Sequence, residues 1–107
     1  MHALDVGGGG VLWQQPMNQS FAPPALADGV VFIGTVGLLQ PPALNAYDAR
    51  TGALLRSFPT KPAGSVNSGA TPVGDMVFVG SGNTIDGTGG GVHAFRLPER
   101  SSSAALR

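Results

Sequence analysis

The chain has 107 residues, no cysteine, 17 glycines, 9 prolines and only 11% charged residues, which balance to a formal charge of zero. That composition suits an all-β protein with many turns, and it supplies no basic footprint for nucleic acid or an anionic membrane. No run approaches the roughly eighteen consecutive apolar residues of a membrane helix. The first residues lack the basic and apolar regions of a signal peptide, and the absence of cysteine is compatible with any compartment.

In chain order, Met1 to Asp5 predicts a strand, Val6-Gly7-Gly8-Gly9-Gly10 its turn, and Val11 to Gln15 a second strand. A connection, Pro16 to Ser20, leads to Phe21 to Leu26, whose prolines suit a strand start or an incompletely paired inner strand. Asp28-Gly29 between apolar runs predicts a tight hairpin, and Val30 to Thr35 is a β-branched strand. The loop Val36 to Pro42 crosses to a second hairpin, Leu44 to Phe58, with Asp48-Ala49-Arg50-Thr51-Gly52 at its tip. Asp can bond turn amides two residues on, and Gly takes positive φ without steric penalty, so both suit this tip. After Pro59 to Gly64, Ser65 to Val73 predicts a strand, Gly74-Asp75 a turn, and Met76 to Ser81 and Gly90 to Leu97 two further strands. Residues 98–107 are too small and polar to pack and predict a disordered tail.

The elements recur. Met1-His2-Ala3-Leu4-Asp5, Leu44-Asn45-Ala46-Tyr47-Asp48 and Val92-His93-Ala94-Phe95-Arg96 share one pattern, with Ala46 43 residues after Ala3 and Ala94 48 residues after Ala46. Val30 to Thr35 matches Met76 to Ser81 at a spacing of 46. Short strands with a period of about 40–50 residues mark propeller blades. The expected fold is therefore an all-β propeller fragment of four-stranded antiparallel blades, one complete blade flanked by two partial ones, over residues 1–97. Met1 fills the slot of Leu44 and Val92, which predicts a truncated N-terminus and a C-terminal piece of a larger ring.

The repeat resembles the pyrroloquinoline-quinone (PQQ) type of propeller repeat, whose consensus runs Ala, any, Asp, any, any, Thr, Gly, Lys, any, any, Trp. Ala3, Asp5, Gly9 and Trp13 match its first, third, seventh and eleventh positions, and Ala46, Asp48, Thr51 and Gly52 its first, third, sixth and seventh. Gly10 and Ala53 stand in place of Lys, Arg56 in place of Trp, and the third copy keeps only Ala94 before Arg96 replaces Asp. The resemblance implies that Trp13 docks between neighbouring blades, where truncating a buried large aromatic to Ala costs roughly 3–5 kcal/mol. Residues 68–95 are also similar to the last blade of polyvinyl-alcohol-dehydrogenase-like quinoproteins.

Other motifs have plainer readings. Gly80-Ser81-Gly82 lacks the third glycine and following helix of a dinucleotide fingerprint. The stretch 86–91 lacks the acidic spacing of a calcium loop and reads as a flexible connector. His2 and His93 hold equivalent positions on separated strands and read as solvent-facing or strand-packing residues rather than a shared metal site. Asn18-Gln19-Ser20 fits the glycosylation sequon.

Blade topology puts Val36–Pro42, Lys61–Ser68 and Gly82–Gly90 on one rim, with Lys61, Asn67, Asn83, Thr84 and Asp86 as its polar side chains. Asn67, Asn83 and Asp86 are the cofactor-contact candidates; the plainer reading is that they solvate the rim. The resemblance implies a periplasmic or extracellular quinoprotein dehydrogenase oxidising alcohol or sugar hydroxyls. In such proteins the quinone carries the redox step, calcium polarises its carbonyl and an Asp acts as base. No catalytic residue or calcium ligand is assignable in the chain. The competing reading is a non-catalytic propeller, either a scaffold of the outer-membrane assembly lipoprotein type or a sensor module that binds a protein partner. Either way the remaining blades of the parent are the nearest partners.

Overall fold

A computed structural model describes residues 1–37, 41–60, 65–83 and 88–96. The expected tail, 98–107, and the candidates Lys61, Thr84 and Asp86 lie outside the described residues. The described chain contains nine strands: β1 (His2–Leu4), β2 (Val11–Gln14), β3 (Ala25–Ala27), β4 (Val30–Gly34), β5 (Ala43–Asp48), β6 (Leu54–Pro59), β7 (Thr71–Val73), β8 (Met76–Asn83) and β9 (Thr88–Arg96). They form antiparallel sheets of two, four and three strands in the orders β1-β2, β3-β4-β5-β6 and β7-β8-β9, each a simple meander. We call these the first, second and third sheets.

Local chemistry explains the turns. Asp28 and Gly29 both take positive φ, 55° and 79°, the signature of the two-residue turn whose twist matches its strands. At the β5–β6 tip, Asp48 Oδ1 accepts the amides of Arg50 at 2.8 Å and Thr51 at 3.2 Å, and the Gly52 amide donates to the Asp48 carbonyl at 2.8 Å. Gly52 has φ 81°, a conformation that a β-carbon would strain. Asp48→Ala is expected to lower stability by about 1–2 kcal/mol, because two turn amides lose their buried acceptor. A urea midpoint shifted at constant slope is the measure.

Several strands differ in length from the sequence expectation. The inner segments expected over 21–26 and 65–73 pair only as three-residue strands, β3 and β7. Pro23 and Pro24 have no amide to give to a ladder, and the residues before them instead bond the ends of neighbouring strands. Ser20 Oγ donates to the Gly34 carbonyl at 2.6 Å, and the Val36 amide donates to the Gln19 carbonyl at 3.0 Å. Pro72 is tolerated inside β7 because that strand lies at the sheet edge. Conversely, β8 and β9 run further into the glycine-rich stretch than a flexible connector would, with Asn83 paired to Thr88 across an irregularity after Ser81. Glycine backbones keep their donors and acceptors, so Gly91 can pair with Ser81 without a side chain to announce it.

The core lies between the second and third sheets. Val30, Phe32, Leu44, Ala46 and Phe58 of the second sheet and Val77 and Val79 of the third are buried in one cluster with Val66 of the connection. The Phe58 and Phe95 rings meet across the gap with centroids 4.7 Å apart. Period-2 alternation produces this face: Phe32, Leu44 and Phe58 lie at positions that point the same way in paired strands. On the opposite face, Ser57 Oγ donates to Asn45 Oδ1 at 2.7 Å, and Asn45 Nδ2 donates to the Tyr47 hydroxyl at 3.3 Å. Burial pushes the Tyr47 phenol above its ordinary range, the Asn45 bond opposing it in part.

The first and second sheets are joined by Trp13. Its indole Nε1 donates to the Ala49 carbonyl at 2.8 Å, and its ring lies against Gly52, where a β-carbon would stand 2.5 Å from Cε3. Trp13 thus rests on the tip of the hairpin 36 residues downstream.

Candidate rim site

Three loops predicted to share a rim have their described ends bonded together. The Val66 amide donates to the Thr35 carbonyl at 3.0 Å, the Gly37 amide to Ser65 Oγ at 2.8 Å, and the Gly82 amide to the Ser65 carbonyl at 2.9 Å. The connection carrying Ser65, Val66 and Asn67 is therefore wedged between the ends of β4 and β8. The Thr35 hydroxyl closes the first loop by two hydrogen bonds to Ala43, accepting its amide at 3.0 Å and donating to its carbonyl at 3.2 Å. Thr35, Thr60 and Ser65 are all buried, which their hydrogen bonds make tolerable.

Asn67 is half-buried on this connection, and its side-chain Oδ1 is buried with no hydrogen-bond partner among the described residues. An amide oxygen shut away from water costs on the order of 1–3 kcal/mol unless something donates to it. Asn83 ends β8, paired with Thr88, rather than standing in an open loop. Asp86 lies outside the described residues, so of the three cofactor candidates only Asn67 has a described side chain.

A pair that sequence reasoning did not single out lies beside them. Ser81 Oγ and His93 Nε2 are 2.8 Å apart, and the His93 ring stacks on Phe95 with centroids 5.9 Å apart. The signal was available in the register, since Val79 faces His93 and Ser81 lies two residues further along the same face. Among the described residues no carboxylate is bonded to the imidazole, so they supply no orienting third group of a nucleophilic triad. His93 is thereby a packing residue of the third sheet, while His2 is exposed on β1 opposite Gln14.

Ser68 was also missed as a structural residue. Its hydroxyl accepts the Gly80 amide at 3.0 Å and donates to the Gly80 carbonyl at 3.1 Å, the counterpart of Ser20 on Gly34. Ser20 and Ser68 each precede a proline, Pro24 and Pro72, by four residues, and that spacing was the legible clue. Ser20 is the third residue of the glycosylation sequon, and its hydroxyl is committed to this bond.

The donor chemistry can be compared with a bound quinone and calcium. Calcium takes six to eight oxygens, typically with several carboxylates among them. Among the described residues no group of three or more His, Cys, Asp or Glu side chains converges, and the rim connection supplies the single free acceptor Asn67 Oδ1. The described residues alone do not fit such a site. No helix of the described chain is long and apolar enough to cross a membrane. No protein-family model matches the chain, and no curated protein matches it.

Proposed function

We propose that the chain supplies consecutive blades of a PQQ-type β-propeller: two strands of one blade in the first sheet, a whole blade in the second and three strands of another in the third. The observation that carries this reading is the seat of Trp13, a tryptophan at the eleventh repeat position resting on the seventh-position glycine of the next repeat. The meander order within each sheet and the packing of the third sheet on the second support it. In the parent, the rim formed by residues 35–37, 65–67 and 81–83 faces the ligand side, where a quinone held largely by other blades would oxidise an alcohol or sugar hydroxyl. The orphaned Asn67 Oδ1 is the feature of the chain that favours a ligand there.

A second reading, a propeller that serves as a binding scaffold, is favoured by the Ser81–His93 pair. The chemistry-bearing side chains nearest the rim satisfy each other and stack on the core rather than opening outward. The coding sequence on either side of these residues tests the propeller itself. Further in-frame copies of the Ala-x-Asp hairpin at intervals of about 40–50 residues are expected; a frame with none on either side removes the reading.

The quinone is testable on the chain directly. Titration of residues 1–107 with PQQ, with and without calcium, is expected to give no saturable quenching of Trp13 fluorescence at micromolar concentrations, because the described residues hold too few ligands. Saturable quenching that a chelator abolishes would place a complete site within these residues.

A further inference from the structure

The third sheet outruns the second at the rim. Their registers correspond, since Phe78 faces Ala94 as Phe32 faces Ala46, and Gly80 faces Val92 as Gly34 faces Leu44. β4 stops at Gly34, whereas β8 continues through Ser81 and Gly82 to Asn83. β5 starts at Ala43, just before Leu44, whereas β9 starts at Thr88 and reaches Val92 only after Gly89, Gly90 and Gly91. At about 3.3 Å per residue, the β8–β9 hairpin projects roughly 10 Å past the place where its counterpart ends.

The two edges of this projection differ. On the β8 side the Ser68 hydroxyl holds both backbone groups of Gly80, and the Gly82 amide donates to the Ser65 carbonyl at 2.9 Å. On the other side β9 is last in its sheet and pairs with β8 alone among the described residues. An outer strand as long as β6, which covers β5 from Ala43 onward, would reach Gly91 and leave Thr88, Gly89 and Gly90 open. Sheets commonly guard such an edge with charge or proline. From Thr88 to Phe95 the sequence has no Asp, Glu, Lys, Arg or Pro, and Val92, on the same strand face as Gly90, is 81% exposed.

We infer that the β9 edge from Thr88 to Val92 binds an extended peptide of a partner protein, added as a strand and carrying an aromatic side chain opposite Gly90. Every second residue of a strand edge turns its amide and carbonyl outward, and these groups supply affinity without regard to sequence. The aromatic side chain supplies the selectivity. A glycine leaves its cross-strand place bare, a facing ring covers that backbone, and Val92 two residues on gives the ring an apolar neighbour. The inference rests on the binding-scaffold reading of the chain, and it names the surface and the kind of segment that surface takes.

Titration of residues 1–107 with the peptide acetyl-Thr-Val-Tyr-Val-Thr-amide, with amide exchange followed residue by residue, tests it. The expected result is saturable binding that slows the outward amides between Thr88 and Gly91 at least about tenfold, the factor a single made hydrogen bond gives. Alanine in place of the peptide tyrosine should weaken binding about two- to fivefold. Val92→Thr, a change of similar volume at an exposed position, should leave the fold intact and narrow that preference. Absence of saturable binding overturns the proposal, as does equal binding of the tyrosine and alanine peptides. Slowing confined to Val92–Arg96 would mean that the peptide merely stands in for an outer strand of the sheet, and the projecting edge would not be a site. Slowed Thr88–Gly91 amides without peptide, together with sedimentation that depends on protein concentration, would make the occupant a second copy of the chain and sink the proposal likewise. The scaffold reading stands or falls separately, on the flanking coding sequence.

Discussion

Replacing Trp13 by Ala lowers the unfolding free energy by about 3 kcal/mol, the lower end of what a large aromatic costs when truncated, because the ring is only half-buried. The loss is local in origin. The first sheet has two strands, too few to be stable alone in water, and Trp13 provides its described side-chain bond to the second sheet. Hydrogen exchange should therefore show the amides of β1 and β2 losing protection in Trp13→Ala while β4, β5 and β8 keep theirs. Trp13→Phe keeps much of the apolar contact but gives up the bond to Ala49, and belongs between the two. Equal protection of β1 in the wild type and Trp13→Ala would mean that the first sheet is held by something other than the indole.

Gly34→Ala is the second substitution with a large expected effect, about 2–3 kcal/mol, from overpacking rather than from lost contact. A β-carbon at Gly34 would collide with Val66 Cγ1 and stand 2.6 Å from Val66 Cβ and 2.8 Å from the Val66 carbonyl oxygen. The side chain alone could turn aside, but the carbonyl belongs to a backbone already tied to Thr35 and Gly82 on its two sides. Combining Gly34→Ala with Val66→Ala should cost less than the two single changes added together, since the second removes the nearest obstruction of the first. Gly10→Ala, with nothing within 4 Å, is the control and should stay within about 0.5 kcal/mol of the wild type in denaturant midpoint. Strict additivity would locate the strain elsewhere than at Val66.

Both effects differ in how far the sequence announced them. The Asp48 and Gly52 tip was legible because its chemistry is local: a side chain bonds amides two and three residues on, and a glycine adopts positive φ at once. The strand order followed from the same locality, as every sheet is a meander of neighbours. Gly34 gave no such signal, since its reason is the approach of Val66, 32 residues later in the chain. The Phe58–Phe95 contact and the Ser81–His93 pair were hidden in the same way, being products of how one sheet lies on the next and of register inside a glycine-rich hairpin. Of the rim candidates, Asn67 was reachable as a polar residue on a connection. What makes it informative, an oxygen buried without a donor, depends on its surroundings and not on its name.

The 36 residues between Trp13 and its acceptor have a consequence in time. At a synthesis rate of about 5–20 residues per second, Ala49 is made roughly 2–7 seconds after Trp13. A hairpin closes in about 1–10 microseconds, so β1 and β2 meet roughly five to seven orders of magnitude sooner than the surface that steadies them exists. Through that interval a marginal two-stranded ribbon displays Leu4, Val11, Leu12 and a bare indole to whatever the nascent chain encounters. Docking of the first sheet is therefore gated by the arrival of one carbonyl, and a ribosomal pause anywhere between codons 13 and 49 lengthens the exposure by its full duration.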